Sequence, residues 1–220
     1  MKIKFLGRNI SVKMLKDDKI LTIVGQNESI LKEKGSQFIA QCFSVKDDKS
    51  ADKLIEDIKK KYYNASHHCY AYRLINDVFK YSDDGEPNGT AGLRILNAID
   101  HFQLLNVLVV VIRYFGGTKL GVGPLGKVYY NSAIGVLEKS VKIEKYFYYK
   151  IFVDVDFKQI SSIHHIINNS EVKILNTKYA DNVTFELVVK INDVNSFKTK
   201  IIDELKGDLI INVDKNIILL

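Results

Sequence analysis

A chain of 220 residues, 46% of them hydrophobic, has material for one large core or two small ones. Its longest apolar run, Val107–Ile112, is far short of the roughly 20 residues of a helical membrane span, and the first nineteen residues lack the apolar stretch of a signal peptide. Of the net charge of +6, residues 1–19 supply +4 and residues 146–220 carry −1, so what remains is a mild basic bias and not a dense nucleic-acid-binding stripe. Cys42 and Cys69 form no CxxC pattern, which suits a reducing compartment, and the chain is read as cytoplasmic.

Residues 1–19 are lysine-rich and weakly patterned; they are taken as an extension without assigned structure, with Met14 as an alternative start. Strands are predicted at Ile20–Val24 and Gln37–Val45. Between Ser50 and Tyr63 the apolar positions Ala51, Leu54, Ile55, Ile58 and Tyr62 recur at helical spacing, with Asp47 and Asp48 ahead of the first turn, where the helix dipole favours them. His67–Leu74 and Val78–Tyr81 read as strands. Thr90 reads as the N-cap of a short helix with Leu93, Leu96 and Ile99 on its apolar face.

The unbroken β-branched run Val107–Ile112 predicts a strand buried on both faces, since a half-exposed one would alternate. Arg113 and Tyr114 close it. Gly116, Gly117, Gly121, Gly123 and Gly126 follow, and a helix is predicted from about Gly123 to Ser140, with Pro124 in its first turn. After Lys145 come a strand Tyr146–Asp156, a helix Phe157–Asn168, strands Val172–Tyr179 and Val183–Ile191, a helix Val194–Leu205 stopped by Gly207, and a strand Leu209–Leu220. That order is βαββαβ, a ferredoxin-like domain. The expected organisation is an α+β protein with domains at 20–143 and 146–220.

Three stretches invite chemistry. Gly121–Val128 fits GxxxxGK, but Val128 stands where a phosphate-binding loop needs a Ser or Thr hydroxyl for Mg²⁺; the alternatives are a tight packed turn, or an anion seat with Lys119 and Lys127 nearby. In Ser82–Gly92, Asp83, Asp84 and Glu86 could hold a hard cation or work as acids and bases, or could cap the following helix with Thr90. In Ser66–Arg73, alternation sets His67 and Cys69 on one face and His68 on the other; a Cys–His nucleophile is weighed against a buried thiol with structural histidines. Arg113 and Tyr114 at the strand end are the leading functional candidates; equally, Arg113 could be a guanidinium buried beside the acidic loop that holds the two glycine-bearing loops together by bidentate pairing at the end of the central strand.

The segments Lys34–Phe38 (KGSQF), His67–Tyr72 (HHCYAY), Ser82–Gly92 (SDDGEPNGTAG) and Val110–Tyr129 (VVIRYFGGTKLGVGPLGKVY) resemble, in this order, the IMPACT family, whose bacterial members are called YigZ-like. The resemblance implies a first domain like the second domain of ribosomal protein S-five, an α/β sandwich, and a last domain similar to the fifth domain of elongation factor G. Eukaryotic relatives regulate translation through the amino-acid-control kinase pathway with an additional N-terminal domain, for which no room is expected here. Bacterial relatives are usually proposed to bind nucleic acid or the ribosome. Gln37 stands where the family is usually basic, Leu93-Arg94 replaces a Lys-Pro-like pair, and Pro124-Leu125-Gly126 varies a Gly-Leu-Val.

The reading is therefore a translation regulator that binds RNA, the ribosome or a translation-machinery protein. Arg113, Tyr114, Lys119 and Lys127 line the contact, and His67, His68, Asp83, Asp84, Glu86 and Thr90 form a polar site. No cofactor, metal, membrane or sequence-specific DNA partner is expected. The alternatives are a hydrolase using the acidic loop with a histidine, and a protein-interaction module without catalysis.

Overall fold

The structure is a computed structural model that describes residues 18–205 and 209–220; the expectations for residues 1–17 and for Gly207 lie outside them. Two compact units emerge, residues 20–144 and residues 145–220 with 18–19. Among the described residues no helix is long and apolar enough to cross a membrane.

The first unit opens with β1 (Lys19–Ile23), whose Leu21 carbonyl accepts from Leu105 and whose end is tied by the Val24 N–H to the Val141 carbonyl. Its main sheet is antiparallel throughout. The strands β2 (Gln26–Glu33), β3 (Ser36–Ser44), β4 (His67–Arg73), β5 (Phe79–Ser82) and β6 (Val107–Tyr114) lie in the order β2-β3-β6-β4-β5. Helix α1 (Asp48–Lys61) covers one face; α2 (Gly92–His101) and α3 (Val122–Glu138) cover the other. Val107, Val109 and Val111 pack under α2 and α3, while Leu108, Val110 and Ile112 pack under α1. The central strand is apolar at every position because helices cover both faces, even though the sheet is antiparallel and not the parallel kind in which such runs are commonest. Burying each of these side chains contributes about 1.5–3 kcal/mol.

Helix α1 begins with a capping box: Asp47 accepts from the Ser50 N–H at 2.8 Å, and the Ser50 hydroxyl accepts from the Asp47 N–H at 3.2 Å. Two glycines set close approaches. A Cβ on Gly116 would stand 1.9 Å from the Gly35 carbonyl carbon, and one on Gly92 would stand 2.7 Å from the backbone of Ser82. These contacts press the β2–β3 turn against the loop after β6, and the start of α2 against β5.

The second unit holds β7 (Lys142–Val155) from Lys145 onward, α4 (Ile160–Asn168), β8 (Val172–Tyr179), β9 (Val183–Lys190), α5 (Val194–Glu204) and β10 (Ile210–Leu219). The strand order β10-β7-β9-β8, all antiparallel, is the ferredoxin-like arrangement. Ile163, Ile166 and Ile167 of α4 and Val194, Phe197 and Ile201 of α5 close a core over Ile151, Val153, Phe185 and Leu187.

Several expectations need correction. Strand β2 has no counterpart among the predicted strands: QNESILKE is polar, and it is an edge strand with one half-covered face. Strand β7 starts four residues before Tyr146, and Phe157–Gln159 form a separate 3-10 turn capped by Asp156 before α4. Thr90 is not an N-cap; its hydroxyl donates to the Pro87 carbonyl at 2.6 Å, and α2 begins after Ala91 without a cap from its own N-cap side chain.

Candidate functional site

The apolar run of β6 ends by carrying Arg113 into the interior, where an uncompensated guanidinium would be very costly. It is met there. Arg113 Nη1 donates to Glu86 Oε1 at 2.6 Å, with both side chains about 95% buried. The Tyr129 hydroxyl, from the second turn of α3, donates to the same oxygen at 2.7 Å. The rings of Phe38 and Phe115 lie 5.2 and 5.3 Å from the guanidinium carbon, and Ser36 Oγ is 3.4 Å from Nη2. Arg113 Nε, held in this apolar setting, is without a hydrogen-bond partner among the described residues. Acidic loop, central strand, β3 and α3 thus meet on one ion pair.

The other loop carboxylates are also engaged. Asp83 accepts from the Gly89, Ala91 and Gly92 N–H groups at 2.8–2.9 Å, so it caps α2 in the place expected of Thr90. Asp84, in left-handed conformation with φ of 43°, accepts from Lys59 Nζ and from the His68 N–H, each at 2.7 Å. Burial would raise the Asp84 carboxyl, but these two donors outweigh it and hold it below the usual carboxylate range. The histidines are fixed from the backbone: His68 Nε2 donates to the Tyr62 carbonyl and His67 Nδ1 to the Asp84 carbonyl, both at 2.9 Å. His67 Nε2 then faces Glu86 Oε1 at 3.8 Å, too long for a hydrogen bond.

Cys69 Sγ lies 3.0 Å from the Asp83 carbonyl and 3.4 Å from the Tyr129 hydroxyl. Burial pushes the Cys69 thiol strongly up, and the Tyr129 phenol likewise. A thiol kept protonated is a poor nucleophile. Among the described residues no group of three His, Cys, Asp or Glu side chains could hold a metal ion. The arrangement builds a rigid scaffold in which each acidic side chain already has its partner.

The four residues expected on a contact surface do not share one. Arg113 is buried. Tyr114 turns to the α1 face of the sheet and donates to Asn64 Oδ1 at 3.0 Å. Lys119 and Lys127 are exposed, the first in the glycine loop and the second on α3. Lys127 lines a groove of about 430 Å³ with Asn88, Thr90, Arg94, Asn97, Gly126 and Tyr130. Neither Tyr129 nor Arg94 is among the residues expected to form a site. Tyr129 could have been found: it stands four residues from both Leu125 and Ala133, on the buried face of the helix, where a hydroxyl needs a partner.

Comparison with known proteins fits this architecture. A family model for the Impact N-terminal domain matches residues 34–137, and one for a domain of unknown function (DUF1949) matches residues 153–207. A solved structure, described as that of an hypothetical protein, superposes on 91% of this chain and all of its own with a TM-score of 0.65 at 24% identity, which shows a shared fold. The chain is 27% identical over 180 residues to IMPACT family member YigZ of Escherichia coli, covering 80% of this chain and 88% of that protein. It is 33% identical over 175 residues to IMPACT family member YvyE of Bacillus subtilis, covering 79% and 80%. With a third of the aligned positions shared across four-fifths of both chains, and the motif-bearing loops seated on one sheet, this chain belongs to the IMPACT family.

Proposed function

We propose that this chain regulates translation by binding RNA, free or within the ribosome. The translational part of the reading rests on kinship with the IMPACT family. The observation that supports RNA as the ligand is a contrast in charge: Asp83, Asp84 and Glu86 all have partners, whereas the exposed cations Arg94, Lys119 and Lys127 have no ion-pair partner among the described residues. Exposed, unpaired cations are free to neutralise phosphates and release counterions. In this reading Arg113 supports the surface from beneath, and Tyr114 lies away from it.

The test is binding of the full-length chain to ribosomes and to RNA across a salt series. About three phosphate contacts to a single strand give a log–log slope near −2, hence a loss of roughly fifteen- to twentyfold between about 50 and 200 mM salt. Binding that is absent at low salt, or indifferent to salt, would overturn the reading.

A further inference from the structure

We infer that the groove between α2 and α3 seats one unpaired nucleotide of a single-stranded RNA, its phosphate between Arg94 and Lys127 and its base against Tyr130. This rests on the RNA-binding reading and narrows it to one place and one form of RNA. The groove is bounded by the loop at Asn88–Thr90, by Arg94 and Asn97 of α2, and by Val122, Gly123, Gly126, Lys127 and Tyr130 of α3. It is charged with one sign: Arg94 and Lys127 line it and no carboxylate does, although three acidic residues lie within seven positions of Thr90 in the chain. Each of those acids is engaged by the partners described above and none lines the groove, which leaves the cations uncompensated and open to an anion.

The groove is also shaped. Gly126 lets α2 come close: a Cβ there would stand 3.3 Å from Arg94 Nε and 3.6 Å from the Thr90 carbonyl, so the Arg94 side chain passes over Gly126 of α3 and lines the groove. The planar donors of an arginine match phosphate geometry and can meet it in a bidentate way. The half-buried ring of Tyr130 supplies an aromatic surface beside the two cations. The side-chain amides of Asn88 and Asn97 make no hydrogen bond among the described residues and so offer donors and acceptors to a base edge. About 430 Å³ lies at the small end of ligand pockets, a size for a single nucleotide unit and not for a duplex. Cation, aromatic surface and free amides at one concavity are the elements of single-strand recognition.

The experiment is fluorescence anisotropy of the full-length chain with a labelled single-stranded RNA, the same strand annealed to its complement, and a labelled nucleoside monophosphate. Single strand should bind roughly tenfold or more tightly than either. The double variant Arg94→Ala/Lys127→Ala should weaken single-strand binding by tenfold or more, and Tyr130→Leu should remove the preference over duplex, because base–aromatic stacking is worth about five- to a hundredfold. Lys60→Ala, an exposed cation on α1 across the sheet, should change little. Wild-type binding of RNA that is unaffected by the double variant, or equally reduced by Lys60→Ala, overturns the groove while leaving RNA binding standing. Equal affinity for duplex or for the monophosphate also overturns it. No binding to any RNA overturns the groove and the proposed function together.

Discussion

Two arginines mark the contrast on which this molecule turns. Arg113 ends a buried strand, is shielded from water and shares Glu86 with Tyr129; Arg94 lies on the exposed side of α2 with no carboxylate facing it. The same side chain does opposite work because of its surroundings. A buried charge must be paired, so it serves the fold, whereas an exposed unpaired charge costs little and remains open to a ligand. Position in the family's motifs does not separate the two roles; burial and partners do.

The sharpest way to break the comparison is at the buried pair. Removing one partner, by Arg113→Ala or Glu86→Ala, should cost about 3–5 kcal/mol in denaturant unfolding, because the other charge is left in the interior. The double variant Arg113→Met/Glu86→Gln should be milder than the sum of its singles. A single variant that loses less than 1 kcal/mol would show that the pair is not the joint between the loops.

Next in size is the cap of α2. Asp83→Ala removes the acceptor of three backbone N–H groups and should cost about 2 kcal/mol, the upper end for an N-cap. Thr90→Ala loses one hydroxyl bond to Pro87 and should cost about 1 kcal/mol. The reverse ranking would restore Thr90 as the cap.

Asp84 lies between the two regimes, partly buried and paired with Lys59. Its folded-state affinity for protons is depressed, so its stabilising share is present above the unfolded value of about 3.9 and is lost as pH falls through the lower folded value. Asp84→Asn should therefore be less stable than wild type at neutral pH, by at most about 1 kcal/mol, and the gap in urea midpoints should close as the pH drops below about 4. A gap that persists at pH 2–3 would place the effect outside this carboxylate's ionisation.

Much of this was legible before any coordinates. An apolar run that ends in arginine, in a chain with an acidic loop, offers a buried pair and a contact surface as equal readings; only the burial of Arg113 against Glu86 decides for the pair. The ferredoxin-like order was legible because β9 and the second half of β7 alternate, turn residues bound the strands, and the helices keep their period. Strand β2 was not: with polar residues on its open side and Ile30 among few apolar ones, it reads as a loop, and only pairing along β3 makes it a strand. The cap on α2 was assigned to the nearest residue of suitable type, whereas the loop folds Asp83 back from nine positions before Gly92. Arg94 gives no site signal in the sequence, since a lone cation on an exposed helical face is ordinary; what distinguishes it is α3 lying against it at Gly126, a tertiary fact.

The most direct measurement pairs stability with affinity in one variant, Arg94→Ala/Lys127→Ala. Its unfolding free energy should stay within about 0.5 kcal/mol of wild type, as expected of exposed unpaired groups. Its affinity for single-stranded RNA at low salt should fall by roughly tenfold or more, given about two lost phosphate contacts. A variant that binds as wild type does, or that loses stability as Arg113→Ala does, would contradict the division between a paired scaffold and an open basic groove.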